Sequence, residues 1–140
     1  MKEGQPSVIY LKDYQVPDFL IDKTILRFEI HDDQTRVISQ LSMRRNPEAA
    51  SMTADLVLNG GPGLTTQAIS IDDRTLLNNE YRITDERLTL SGLPETFELK
   101  TEVCIRPQDN LALSGLYQSG GMFCTQCEAE GFRNITWYLD

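Results

Sequence analysis

Three features of the sequence predict an all-β fold. Apolar residues alternate at period two, turn-forming clusters recur every roughly 8–15 residues, and no stretch of a dozen residues keeps a 3.6-residue apolar period. This is the spacing of an antiparallel sandwich or barrel. In chain order, Leu26, Phe28 and Ile30 alternate with Arg27 and Glu29. His31-Asp32-Asp33-Gln34 supplies a turn, and Val37, Ser39, Leu41 and Met43 resume the alternation, so this segment reads as a hairpin. Further short strands are expected around Leu56-Val57-Leu58, Ala68 to Ile71, Leu88 to Leu90, Phe97 to Leu99 and Val103 to Ile105. Their separators are Asn-Gly-Gly-Pro-Gly at 59–63, Asp72-Asp73, Gly92-Leu93-Pro94 and Pro107-Gln108-Asp109-Asn110. Only the last ten residues have a pattern compatible with helix.

A chain of 140 residues fits one domain, able to bury roughly 70% of its unfolded surface without staples. With 40% hydrophobic and 24% charged residues the composition is that of an ordinary globule, and no repeat, low-complexity tract or linker divides it. No apolar run approaches the ~18–20 residues of a membrane span, and the amino terminus lacks the apolar core of a secretory signal. A soluble cytoplasmic protein without a membrane partner is expected. Thirteen basic against 21 acidic side chains give a net charge of -8, and the basic residues never cluster beyond Arg44-Arg45. That surface repels phosphate backbones, which argues against nucleic acid, and favours a cationic ligand such as an amine. Cys104, Cys124 and Cys127, an odd number, do not form a disulfide framework. The single histidine, His31, cannot supply the pair of an H-E-x-x-H zinc helix. The run Phe132 to Asp140, with the one tryptophan and no polar tail, reads as a cut through structure.

Several local motifs carry little chemistry. The loop at 59–63 lacks the Lys and Ser/Thr of a phosphate cradle, and Pro62 removes an amide donor. Asp32-Asp33 and Asp72-Asp73 lack the spaced oxygen ligands of a calcium loop and read as hairpin turns. Asn134-Ile135-Thr136 has the glycosylation form, which has no meaning without secretion. Cys124-Thr125-Gln126-Cys127 has the spacing of a dithiol or half a zinc site, but no second pair follows, and the β pattern offers no strand-to-helix setting, so free thiols in or near the core are expected. The acidic cluster Glu128-Ala129-Glu130 follows a Gly-rich turn at 120–121 and is flanked by cysteine and aromatic residues. In an extended segment, Gln126 and Glu128 at i, i+2 share a face, so an amide oxygen and a carboxylate can converge on one ammonium group. The alternative is a solvated turn.

The stretches Leu113-Ser114-Gly115-Leu116-Tyr117-Gln118-Ser119-Gly120 and Cys124 to Arg133 resemble the end of the amino-terminal β domain of the bacterial aminopeptidase N family, zinc-dependent gluzincin aminopeptidases. The family's looser pattern, Gly-Leu-Tyr and then Thr-Gln-x-Glu with an arginine five residues after the glutamate, is present. Weaker likenesses at Tyr10 to Tyr14, Pro17 to Phe19 and Gly92 to Leu99 follow in the same order.

The resemblance implies a saddle-like antiparallel β domain over 1–140, truncated at its carboxyl-terminal end, beside a thermolysin-like catalytic domain of the same polypeptide. Its zinc helix and G-A-M-E-N loop are absent here. It implies that Gln126 and Glu128 line the first substrate subsite and hold the free amino group of a peptide, with Arg133 structural. No catalytic residue, metal ligand or cofactor is expected in this chain, zinc belonging to the parent enzyme, and the chain alone is expected to be inactive. Self-association through the truncated edge is also expected. Two other readings stand beside it: an independent β-sandwich that binds a peptide or protein, and a small redox or zinc protein.

Overall fold

The computed structural model describes residues 8–140, and the first seven residues of the polar amino terminus lie outside the described residues. Strands β1 (Phe19–Ile30) and β2 (Thr35–Arg45) form the expected hairpin around Asp32-Asp33, closed by the His31 N–H donating to the Gln34 carbonyl at 3.0 Å. The chain continues through β3 (Leu56–Asn59), β4 (Thr65–Ile71), β5 (Arg74–Thr75), β6 (Tyr81–Thr84), β7 (Arg87–Leu90), β8 (Thr96–Ile105), β9 (Gly115–Ser119) and β10 (Met122–Gln126). A five-stranded sheet has the order β1-β2-β8-β4-β5, a three-stranded sheet the order β3-β7-β6, and β9 and β10 pair as a hairpin. The strand pairs among the described residues are antiparallel, so the all-β expectation holds.

Period two in the two central strands builds the core. Val37, Leu41 and Met43 of β2 are buried, while Arg36, Ile38 and Gln40 face outward. In β8, Phe97, Leu99, Val103 and Ile105 are buried, and the register sets Val37 against Val103, Leu41 against Leu99 and Met43 against Phe97. The three-stranded sheet adds Leu56, Leu58, Leu88 and Leu90 to the same cluster. Each such burial is worth about 1.5–3 kcal/mol relative to exposure. The separate strands expected at 97–99 and 103–105 are one strand. No turn residue interrupts them, and Lys100 and Glu102 continue the outward half of the alternation while Thr101 continues the inward half.

Three hairpin connections, Asp72-Asp73, Asp85-Glu86 and Gly120-Gly121, have both central residues at positive φ, the torsions of a tight two-residue turn whose twist matches the strands. The Arg44-Arg45 pair is structural. Arg44 Nε donates to Asp22 at 3.0 and 2.9 Å, and Arg45 donates to the Ala54 and Leu93 carbonyls while its guanidinium lies 4.8 Å from the centre of the Phe19 ring. Where the last ten residues have a pattern compatible with helix, residues 132–140 hold one 3-10 turn, Phe132–Asn134, and the segment that follows it buries Ile135 and Trp137 in the core. Among the described residues no helix is long and apolar enough to cross a membrane.

Candidate functional site

The turn that carries the acidic cluster is anchored from both ends. Strand β10 ends at Gln126, whose partner across the hairpin is Gly115. Gly115 has φ +82, and a Cβ there would lie 2.7 Å from the Asn134 Cβ, so only glycine fits. After the strand, the Gly131 N–H donates to the Cys127 carbonyl at 2.9 Å and closes the turn. Arg133 then fastens the exit. Its backbone N–H and Nε donate to Asp140 Oδ2 at 3.0 and 3.1 Å, its Nη2 donates to the Asp140 carbonyl at 3.0 Å, and Glu130 lies 3.4 Å away.

Gln126 and Glu128 do not share an extended face, because the strand stops at Gln126 and Glu128 stands in the turn. They are nevertheless neighbours: the Glu128 N–H donates to Gln126 Oε1 at 3.4 Å, which folds the amide head over the turn. Both residues are exposed. Among the described residues Glu128 takes part in no ion pair, Arg133 being shared by Glu130 and Asp140. The result is an uncompensated carboxylate on a backbone tied down at both sides.

Cys127 is poorly suited to redox or metal chemistry. Cys104, Cys124 and Cys127 are free and half-buried. Burial, and secondarily the Asp140 charge, raise the Cys127 thiol above its ordinary range, whereas an attacking or ligating thiolate needs the opposite shift. Zinc does not fit this donor set either. His31 sits at the β1–β2 turn and Cys104 on β8, and among the described residues no group of three or more His, Cys, Asp or Glu side chains converges.

Sequence reasoning missed what the Asn-Gly-Gly-Pro-Gly loop does. It seats the carboxyl-terminal run in place of a phosphate. A Cβ on Gly60 would lie 2.4 Å from the Trp137 ring, and one on Gly61 would lie 2.0 Å from Asn134 Oδ1. The Gly61 N–H donates to the Arg133 carbonyl at 2.8 Å, Asn59 and Tyr138 exchange backbone bonds at 2.8 and 3.0 Å, and Trp137 Nε1 donates to Thr66 Oγ1 at 2.9 Å. Two adjacent glycines together with a lone tryptophan were the available signal. A cleft of about 470 Å³ opens nearby between the ends of β4 and β8 and the 106–114 loop, but neither Gln126 nor Glu128 lines it.

No protein-family model matches the chain. Aminopeptidase N of Caulobacter vibrioides is 47% identical over 140 residues, covering 100% of this chain and 16% of the relative. Aminopeptidase N of Escherichia coli is 42% identical over 136 residues, covering 97% of this chain and 15% of the relative. The chain therefore spans about one-sixth of the length of these relatives. Among solved structures, Legionella pneumophila aminopeptidase A in complex with aspartic acid superposes with a TM-score of 0.83 at 25% identity, over 91% of this chain and 15% of that one. The leukotriene A4 hydrolase of Saccharomyces cerevisiae shares the fold, with a TM-score of 0.70 at 17% identity over 97% of this chain and 24% of that one.

Proposed function

We propose that the chain, which matches aminopeptidase N over its whole length, is the amino-terminal domain of a zinc aminopeptidase and forms one wall of its substrate site, with Glu128 and Gln126 receiving the free α-ammonium group of a peptide. The observation that supports this reading best is Glu128 itself, exposed on an anchored turn, its carboxylate free of ion pairs among the described residues and its backbone N–H donating to the Gln126 amide oxygen. An ammonium group offers three donors. A carboxylate and an amide oxygen beside each other accept from it with charge assistance, and an acetylated or internal peptide nitrogen lacks both the charge and the extra donors. Such a pair measures distance from the chain end, which is what removal of a single residue requires.

Glu128 positions the substrate and moves no proton. Zinc chemistry, for which no group of three or more candidate ligands converges among the described residues, belongs in this reading to a catalytic domain that packs against the chain and takes water out of the site. The chain's acidic character, net charge -8, favours the approach of a cationic peptide terminus.

The test is a chimera in which this chain replaces the matching segment of the Caulobacter aminopeptidase N. Within it, Glu128→Ala is expected to lower kcat/KM for short peptides roughly 30-fold to several-thousand-fold, the range for losing one partner of a desolvated charge pair. Gln126→Ala removes a neutral acceptor worth about 1 kcal/mol and is expected to cost roughly fivefold. Circular dichroism and zinc content stay unchanged in both. An active chimera whose Glu128→Ala variant retains near-normal kcat/KM refutes the assignment and leaves the cluster as a solvated turn.

A further inference from the structure

Strand β1 is the outermost strand of the five-stranded sheet, and no strand among the described residues pairs with its far edge. On it Ile25 is 45% exposed, Phe28 39% and Ile30 47%, an apolar run on the kind of edge that proteins ordinarily blunt. A β-bulge between Ile21 and Lys23 protects one end, whereas Thr24 to Ile30 runs without irregularity. The His31–Gln34 bond fixes which backbone groups are spent. Counting back through the alternating pairs of an antiparallel ladder, Ile25, Arg27 and Glu29 turn their N–H and C=O groups toward β2, and Thr24, Leu26, Phe28 and Ile30 turn theirs outward.

We propose that this edge binds a second copy of the chain, antiparallel about a two-fold axis, with Phe28 opposite Phe28 of the partner subunit. The register follows by elimination. Outward groups must face outward groups, which leaves registers centred on Leu26, Arg27, Phe28 or Glu29. Centring on Arg27 opposes two guanidinium groups, and centring on Glu29 opposes two carboxylates. Centring on Leu26 calls on Asp22 and Lys23, which lie at the bulge. Centring on Phe28 matches the pairs between Leu26 and Ile30: Leu26 faces Ile30 of the partner subunit twice, and Arg27 faces Glu29 of the partner subunit twice. Arg27 is 72% exposed and already reaches Glu29 of its own chain at 2.7 Å, with Arg36 on Glu29 at 3.3 Å, so the pairing extends an existing charge cluster across the axis. Three outward pairs exchange about six backbone hydrogen bonds and join the two five-stranded sheets into one.

Sedimentation of the 140-residue chain over a concentration series tests this. A discrete dimer is expected. Arg27→Glu and Glu29→Arg each turn two attractions into repulsions and are expected to weaken it about tenfold or more. An equimolar mixture of the two variants restores attraction at every pair and recovers a heterodimer. Because Glu29→Arg also faces Arg36 and can lose its fold, a second measurement stands beside it. Phe28→Cys in a chain whose Cys104, Cys124 and Cys127 are serine is expected to crosslink to a covalent dimer on mild oxidation, the facing Cα atoms lying within disulfide reach, while Ile25→Cys does not. A strictly monomeric wild-type chain, an Arg27→Glu dimer of unaltered affinity, or equal crosslinking at positions 25 and 28 overturns the proposal.

Discussion

Gly131→Ala tests whether the candidate turn owes its shape to a close backbone approach, because two effects of opposite sign compete there. Gly131 has φ -82 and ψ -16, torsions that alanine adopts without strain. By chain entropy alone the substitution would stabilise the fold by about 0.4–1 kcal/mol. The added Cβ, however, would lie 2.7 Å from the Gln126 carbonyl oxygen and 2.7 Å from the Cys127 Cα, both backbone atoms that no side-chain rotation can move aside. Relieving such crowding costs about 1–3 kcal/mol. The net expectation is a loss of about 0.5–2 kcal/mol, seen as a melting temperature lowered by about 2–8 °C. Gly63→Ala is the control, since nothing lies within 4 Å of its Cβ position and its φ is not positive, so it is expected to be neutral or mildly stabilising. Melting followed by circular dichroism distinguishes the two. In the aminopeptidase chimera, Gly131→Ala should also lower kcat/KM by shifting Glu128, without removing any group that touches substrate. A Gly131→Ala chain as stable as wild type, or more stable, refutes the crowding argument.

Two further predictions rest on titration. Burial holds Cys127 above its ordinary thiol range, so Cys127 is expected to react with a disulfide reagent more slowly in the folded chain than in the urea-unfolded chain near neutral pH and to gain reactivity only at higher pH; site-resolved labelling by mass spectrometry checks this. Glu80 is held below the ordinary carboxylate value, first by the Leu77 N–H and then by Arg74, so its contribution is present above the unfolded value near 4.5 and is lost as pH falls through the lower folded value. A Glu80→Gln chain should therefore be less stable than wild type at neutral pH, and the difference should vanish in urea melts at acid pH.

What was legible in the sequence follows from where each segment spends its side chains. Strands β2 and β8 are read correctly because one face of each is fully buried, and a one-residue slip would carry Val37, Leu41, Leu99 and Val103 into solvent. Strand β6 was invisible. Its residues Tyr81 to Thr84 are mostly exposed, and its turn, Asp85-Glu86, uses positive φ without the glycine or asparagine that usually announces it. The site was half legible in the same sense. Residue type and resemblance singled out Gln126 and Glu128, but period two could not show that the strand would end between them, because the residues that end it come from elsewhere. Asn134 presses on Gly115, and Gly131 sits against the Gln126 carbonyl. The glycines at 60, 61 and 115 are all visible in the sequence, yet each is needed for an atom that only the fold brings near. At such contacts a local pattern marks the position and says nothing of the partner. That is also why the turn bearing Glu128 is held by residues as distant in the chain as Gly61 and Asp140.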